Sequence, residues 1–308
     1  MNKIKEAWAL VKLSGRLLGR NPFLMAYIAA SGLGVLVLFG AALAPVGLNL
    51  EKNGRAQLLE PYAHVAPAPA GKKQKLTSRI EPHWAPLAAA AAAVYFPGTF
   101  IIVFFNVAFL ASVKRIINGR KVTFKEGLGL AWERRGAVLQ WSLFSATVGA
   151  IFALIQSKLD NWLARRVLGA VELGWNLAIF LAVPVVAAEG GTPLQAVRRS
   201  AGLFRKTWGQ TIAGGIGIGA FQLAAWVAAG VLPGVLLFYF GMRGEGVNYA
   251  LTAGGLGWMA LALVAIGFIG EAMLMVFRMA LYVFAVEGVV PEEYKAQECA
   301  WFVAPPRA

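Results

Sequence analysis

The sequence predicts an all-α integral membrane protein, a six-helix transmembrane bundle with cytoplasmic amphipathic interfacial helices, forming a single membrane domain over residues 1–308. Three observations carry this. First, 58% of the 308 residues are hydrophobic and only 14% are charged, with a mean hydropathy of +0.63; a soluble domain carries roughly 25% charged residues. Second, six runs are nearly free of charge and reach the roughly 20 helical residues needed to cross a hydrocarbon layer about 30 Å thick. Third, 29 Lys+Arg stand against 15 Asp+Glu, a formal charge of +14. In a soluble chain that excess would suggest nucleic acid. In an apolar chain the expected partners are the lipid bilayer and its anionic lipids, with no nucleic acid.

An amphipathic interfacial helix is expected over residues 3–20, with Ile4, Trp8, Val11 and Leu18 on one face and Lys5, Lys12 and Arg16 mostly on the other. The first span follows at about 22–47. Lys3, Lys5 and Lys12 before an apolar run, with Ala42-Leu43-Ala44 behind it, resemble a cleavable signal. The run far exceeds the roughly 7 to 15 residues of such a signal, and Pro45 follows the cut, so the first span is expected to stay as an anchor. Outer loop 51–83 carries Pro61, Pro67, Pro69 and both histidines, His64 and His83, and is expected to be semi-extended. The second, third and fourth spans are placed at about 84–113, 136–157 and 167–188. The fifth is placed at 210–232, where Pro233-Gly234 should separate it from a short interfacial or re-entrant piece ending at Met242, because proline removes a backbone donor. The sixth, 251–286, contains Glu271 and Arg278, and a tail, 287–308, follows.

Assigning alternate segments to opposite sides puts 19 of the 29 Lys+Arg on one side and 10 on the other. Both termini are then expected in the cytoplasm. The run Lys72-Lys73-Gln74-Lys75 in the outer loop goes against that trend.

Three cytoplasmic segments look alike, each preceding an outward-going span. The second opens with Thr123-Phe124-Lys125-Glu126, a capping-box spacing that should start a helix bearing Phe124, Leu128 and Trp132. The third opens with Thr192-Pro193, a cap followed by proline at the first helical position, and places Leu194, Val197, Ala201, Phe204 and Trp208 at helical spacing, flanked by Arg198, Arg199, Arg205 and Lys206. Aligning Ser14 with Ser200 matches VKLSGRLLGRN to VRRSAGLFRKT; GLAWERRGAV fits loosely. The pattern suggests three repeated units of an interfacial helix plus a transmembrane hairpin. Any basic helix entering a membrane would share part of this composition.

Most side-chain chemistries lack their parts. There is one cysteine, Cys299, so no metal site is expected and no cofactor motif occurs. There is no HExxH, GxSxG or GxxxxGK[ST], and no histidine inside a span to activate Ser142 or Ser145, so the chain is not expected to be an enzyme. Glu271 is the sharpest polar feature, because an ionisable group in an apolar span marks a pathway or an interior pair. Arg278 lies two turns on, about 10 Å along the axis. Glu271 and Arg278 would form an ion or proton pathway, or Glu271 would bond within the bundle while Arg278 snorkels to cytoplasmic headgroups. Glu172 is expected to pair near Arg165 and Arg166 at the outer interface, and Asn106, Gln140, Gln156, Asn176 and Gln222 to serve as interhelical hydrogen-bonding groups. Gly215 and Gly219 are spaced for close helix packing, within the chain or between copies in a homo-oligomer.

Three stretches carry a family resemblance: PVVAAEGGTPLQAVRRSAGLFRKTWGQTIAGGIGIG, ALYVFAVEGVVPEEY and the opening SGRLLGRNPFLM. They resemble bacterial and archaeal multi-pass membrane proteins of domain-of-unknown-function family 6159. Its most specific pieces here are Pro184, Glu189, Ala196, Arg199, Ser200 and Trp208, then Ala280-Leu281-Tyr282, Gly288 and Pro291. The resemblance covers nearly the whole chain apart from 51–83 and implies a multi-pass protein of the bacterial or archaeal cytoplasmic membrane. It brings no activity and no site residues.

Two functions compete. One is a non-enzymatic membrane protein binding anionic lipid or a partner through Lys5, Lys12, Arg16, Arg198, Arg199, Arg205 and Lys206. The other is an ion channel or gradient-driven carrier with Glu271 in the pathway, supported by the glycine-rich, proline-interrupted late spans.

Overall fold

The structure, a computed structural model, describes residues 12, 14–42, 84–159, 161–243 and 247–288. The outer loop 51–83, Lys5, Cys299 and most of the tail lie outside the described residues, as does most of the interfacial helix placed at 3–20. Among the described residues every regular element is helical. In order these are α1 (14–20), α2 (Phe23–Ala42), α3 (Trp84–Ile117), α4 (Phe124–Glu133), α5 (Arg135–Lys158), α6 (Trp162–Ala178), α7 (Ala182–Ala188), α8 (Pro193–Ala225), α9 (Leu232–Met242) and α10 (Tyr249–Glu287). Six stretches are long and apolar enough to cross a membrane, making this a multi-pass all-α bundle.

A shorter helical segment passes into a span at three junctions, each with a local break. Asn21 closes α1 by donating from its backbone N–H and from Nδ2 to the Leu17 carbonyl at 3.1 and 3.0 Å, and Pro22 then leads into α2. Arg134 (φ −103°, ψ 16°) separates α4 from α5. Thr207 (φ −118°, ψ 16°) kinks α8 in nearly the same backbone conformation, its hydroxyl donating to the Leu203 carbonyl at 3.0 Å. Ser14 and Ser200, matched by sequence, are both fully buried. The two predicted caps are present: Thr123 with Glu126 and Thr192 with Gln195 both form capping boxes.

The fourth span is broken where the sequence suggested continuity. Its two pieces, α6 and α7, are separated at Ile179–Leu181, which puts Pro184 in the first turn of α7, where a missing N–H costs no helical bond. The Leu181 N–H at the break donates to Ser200 Oγ of α8 at 3.0 Å. The fifth span behaves in the opposite way. Instead of a break at Pro233-Gly234 and a re-entrant piece, helix runs from α8 through one π-helical stretch, Trp226–Val231, into α9, and Gly214–Met242 counts as one span. Pro233 lacks the N–H that would bond the Ala229 carbonyl; Trp258 Nε1 of α10 supplies that donor at 2.8 Å.

Helix α3 is the hub, packing against α4, α5, α7 and α10, while α10 packs along α8 and α9. The buried core gathers the first part of α2, the second half of α3, α7 and the second half of α10. Tyr27 ties α2 to α3 and α4. Its hydroxyl donates to the Phe124 carbonyl at 2.9 Å and lies 3.2 Å from Ser112 Oγ, and its ring stacks on Phe124 at 4.6 Å. Gly127 allows that approach, because a Cβ there would overlap Tyr27 and Ser112.

Candidate functional site

Helix α3 ends in two basic residues, Lys114 and Arg115, where positive charge suits the carbonyl-rich helix terminus. The chain then reverses through Gly119 at φ +76°. The Gly119 N–H bonds the Ile116 carbonyl and the Arg120 N–H bonds the Arg115 carbonyl, both at 2.9 Å. This is a Schellman closure, in which a left-handed residue is best supplied by glycine. It turns the chain back so that Arg120 joins Lys114 and Arg115 around one pocket.

Two ion pairs hold this end of the bundle together. Lys114 Nζ lies 3.0 Å from Glu287 Oε1 at the end of α10, and Asn118 Nδ2 donates to Glu287 Oε2 at 3.3 Å. The second pair sits on the Glu189-Gly190-Gly191 turn between α7 and α8, where both glycines have positive φ. Glu189 Oε1 accepts from Arg199 Nε at 3.1 Å and from the Tyr282 hydroxyl at 2.8 Å. Lys114 also lies 5.5 Å from the centre of the Tyr282 ring. The ends of α3, α8 and α10 are thereby tied to α7. The ion pairs are partly exposed, so they fix geometry more than they add stability.

Beside them Lys114, Arg115, Asn118 and Arg120 meet Glu133 and Arg134 from the α4–α5 junction and Ala187 and Ala188 of α7, around a pocket of about 410 Å³. Arg134 closes one wall: its guanidinium donates to the Ala187 carbonyl and, at 3.0 Å, to the Ala188 carbonyl. Those are carbonyls of the last turn of α7, which have no partner within that helix. Burial pushes the Arg134 pKa down; Glu133 and Tyr282 push it back up, and the neighbouring Arg115 charge adds to the fall. Guanidinium remains charged at any ordinary pH.

The predicted residues fall into separate places. Glu271 and Arg278 do meet: Arg278 Nη1 is 3.7 Å from Glu271 Oε1, and the guanidinium lies over the Phe180 ring, 4.8 Å from its centre. Arg278 therefore does not snorkel toward the C-terminal end. Side chains on a helix lean toward its N-terminus, which is where Glu271 lies. Its Nε is buried without a hydrogen-bond partner among the described residues. Glu172 pairs with Gln156 of α5 rather than with the arginines; Arg165 donates to the Leu159 carbonyl at 2.8 Å and Arg166 lies over Trp162. Arg16, Arg198, Arg205 and Lys206 are exposed, and Lys12 is exposed on its own turn. Gly215 and Gly219 face no neighbouring helix within the chain: a Cβ on either meets nothing within 4 Å. The close contact is made one residue earlier, at Gly214 against Phe277.

Sequence reasoning missed the pocket. Lys114, Arg115 and Arg134 contributed only to the uneven count of basic residues on the two sides, and no local spacing links residues at 114 and 134 to carbonyls at 187 and 188. The adjacency of Arg134-Arg135 to the start of a span was the available signal.

Residues 90–291 match the family described as Family of unknown function (DUF6159). No curated protein and no solved structure matches the chain. The opening SGRLLGRNPFLM lies ahead of the matched region, so the match is shorter than the resemblance in the sequence implied, and 51–83 lies outside it as expected. The match runs from within α3 to just past α10 and holds both ion pairs, the basic pocket and the Glu271–Arg278 pair. The chain belongs to this family of unknown function.

Proposed function

We propose that this is a non-enzymatic polytopic membrane protein whose positively charged end faces the cytoplasm and binds anionic lipid headgroups. The observation that supports it is the gathering of basic side chains from separate segments at one end of the bundle: Arg16 on α1, Lys114 and Arg115 on α3, Arg120 after it, Arg134 between α4 and α5, and Arg198, Arg199, Arg205 and Lys206 on α8. The opposite end carries Lys158, Arg165, Arg166 and Arg243 among the described residues. Positive charge is retained on the cytoplasmic side during insertion and is drawn to anionic headgroups there. Purified protein in neutral detergent, titrated with phosphatidylglycerol or phosphatidylcholine and read by native mass spectrometry, is expected to retain phosphatidylglycerol preferentially. Equal retention of both would sink the proposal.

A carrier or channel working through Glu271 is the competing function. Its carboxylate is already countered by Arg278 at 3.7 Å and is about half exposed at 47%. Ion and proton flux into liposomes, compared with Glu271→Gln at matched density, separates the two. Flux that collapses in the variant would replace lipid binding with transport.

A further inference from the structure

We infer that the pocket between α3, α4 and α7 is a binding site for a single phosphate group, carried either by a phospholipid headgroup or by a free phosphate anion. Four basic residues line it, Lys114, Arg115, Arg120 and Arg134, against one carboxylate, Glu133. Lys114 is neutralised by Glu287. Arg115 and Arg120 make no side-chain hydrogen bond or ion pair among the described residues. Glu126, which Arg115 acts on electrostatically, is already held by the Thr123 N–H at 2.7 Å. With Lys114 paired, three arginines face one lining carboxylate; such an excess of like charge in one concavity is unfavourable in the empty protein, and a bound dianion reduces that cost.

The donor geometry also suits phosphate. Arg134 is fixed by its bonds to the Ala187 and Ala188 carbonyls, which use two of the five N–H donors of a guanidinium and leave the rest available. Arg115 stands on the last turn of α3, a rigid mount, and arginine recognises phosphate by a planar fork that lysine lacks. The volume of about 410 Å³ lies near the lower end of ligand pockets, enough for a headgroup and too small for a whole lipid. Ala111, Leu130, Ala187 and Ala188 supply apolar wall beside the charges. Only the lipid source of the phosphate depends on the function proposed above.

The test uses the full chain in dodecyl maltoside with two probes, inorganic phosphate and phosphatidic acid, each titrated against wild type, Arg115→Gln, and, as a control for net charge at the opposite end of the bundle, the double variant Arg166→Gln/Arg243→Gln. Arg115 makes no side-chain hydrogen bond or ion pair among the described residues, so its variant is expected to melt near the wild-type temperature. It should bind at least one probe about tenfold more weakly or worse, the effect of losing a charge-assisted contact, while the double variant binds as wild type. Loss confined to phosphatidic acid identifies a headgroup site, and loss of both identifies a site for the anion itself. Unchanged binding in Arg115→Gln, or equal loss in the double variant, would overturn the pocket while leaving general headgroup binding intact. Conversely, a wild type that shows no preference for anionic lipid, yet loses inorganic phosphate in Arg115→Gln, would keep the pocket and remove the lipid function.

Discussion

Helix α10 crosses two different environments. From Ala272 to Phe284 nearly every residue is buried, whereas from Tyr249 to Glu271 the buried residues are Gly255 and Gly270. At 39 residues and about 1.5 Å per residue, it is roughly 58 Å long, well beyond the hydrocarbon thickness of about 30 Å. Its second half is enclosed by α3, α7 and α8. Its first half meets α9 and the π-helical stretch, with Phe268 against Gly32 of α2 and Gly270 against Gln222 of α8 near its end, and its other faces carry exposed Leu256, Leu261 and Val264. The difference shows two ways of holding helices together. Around α7, large side chains interlock, and the Tyr282 hydroxyl, Ser200 Oγ and the Arg134 guanidinium are paired. Along α9, where lipid is as apolar as leucine, backbones come together on small residues instead. Gly234 meets Met259 and the Gly255 carbonyl, and Gly241 meets Thr252.

Disturbing the packed end should have the largest effect. Gly127→Val would drive its side chain into the Tyr27 hydroxyl and Ser112, where overpacking costs about 1–3 kcal/mol. Thermal unfolding in detergent should show a clear drop, and wild-type stability would mean that α4 does not approach α2 this closely. In the lipid-facing half, Trp258→Phe keeps the aromatic bulk and removes the donor to the Ala229 carbonyl. Leaving that acceptor unpaired should cost about 1–3 kcal/mol, and less if lipid-exposed neighbours rearrange, so the drop should be smaller than for Gly127→Val. A stability equal to wild type would show that the Pro233 region needs no outside donor. The smallest effect is expected at Gly215→Ala, which meets no neighbour and gains helix propensity, up to about 1 kcal/mol. Destabilisation there would reveal a helix packed against α8 from a second copy.

Much of the architecture was legible in the chain. Thr123 and Thr192 announced their helices because a cap is a local interaction, complete within four residues. The six spans were legible because bilayer thickness fixes a minimum apolar length regardless of what surrounds it. Pro184 and Pro233 were harder. Both remove a donor, yet one accompanies a break and the other an unbroken helix. The outcome depended on Ser200 and Trp258, 16 and 25 residues away, which bond the Leu181 N–H and the Ala229 carbonyl. The Glu271–Arg278 pair was visible as a spacing, and the direction in which Arg278 points followed from helix geometry once Phe180 lay beneath it.

By itself, then, the sequence determined the membrane class, the number and rough limits of the spans, the helix starts and the uneven distribution of charge, since each depends on composition or on contacts within a turn. Only the tertiary structure decided which glycines lie between helices, which arginines are paired, and that Lys114, Arg115 and Arg134 surround one pocket. Those are meetings of residues distant in the chain, set by how helices pack and where α7 inserts, and no short-range pattern encodes them.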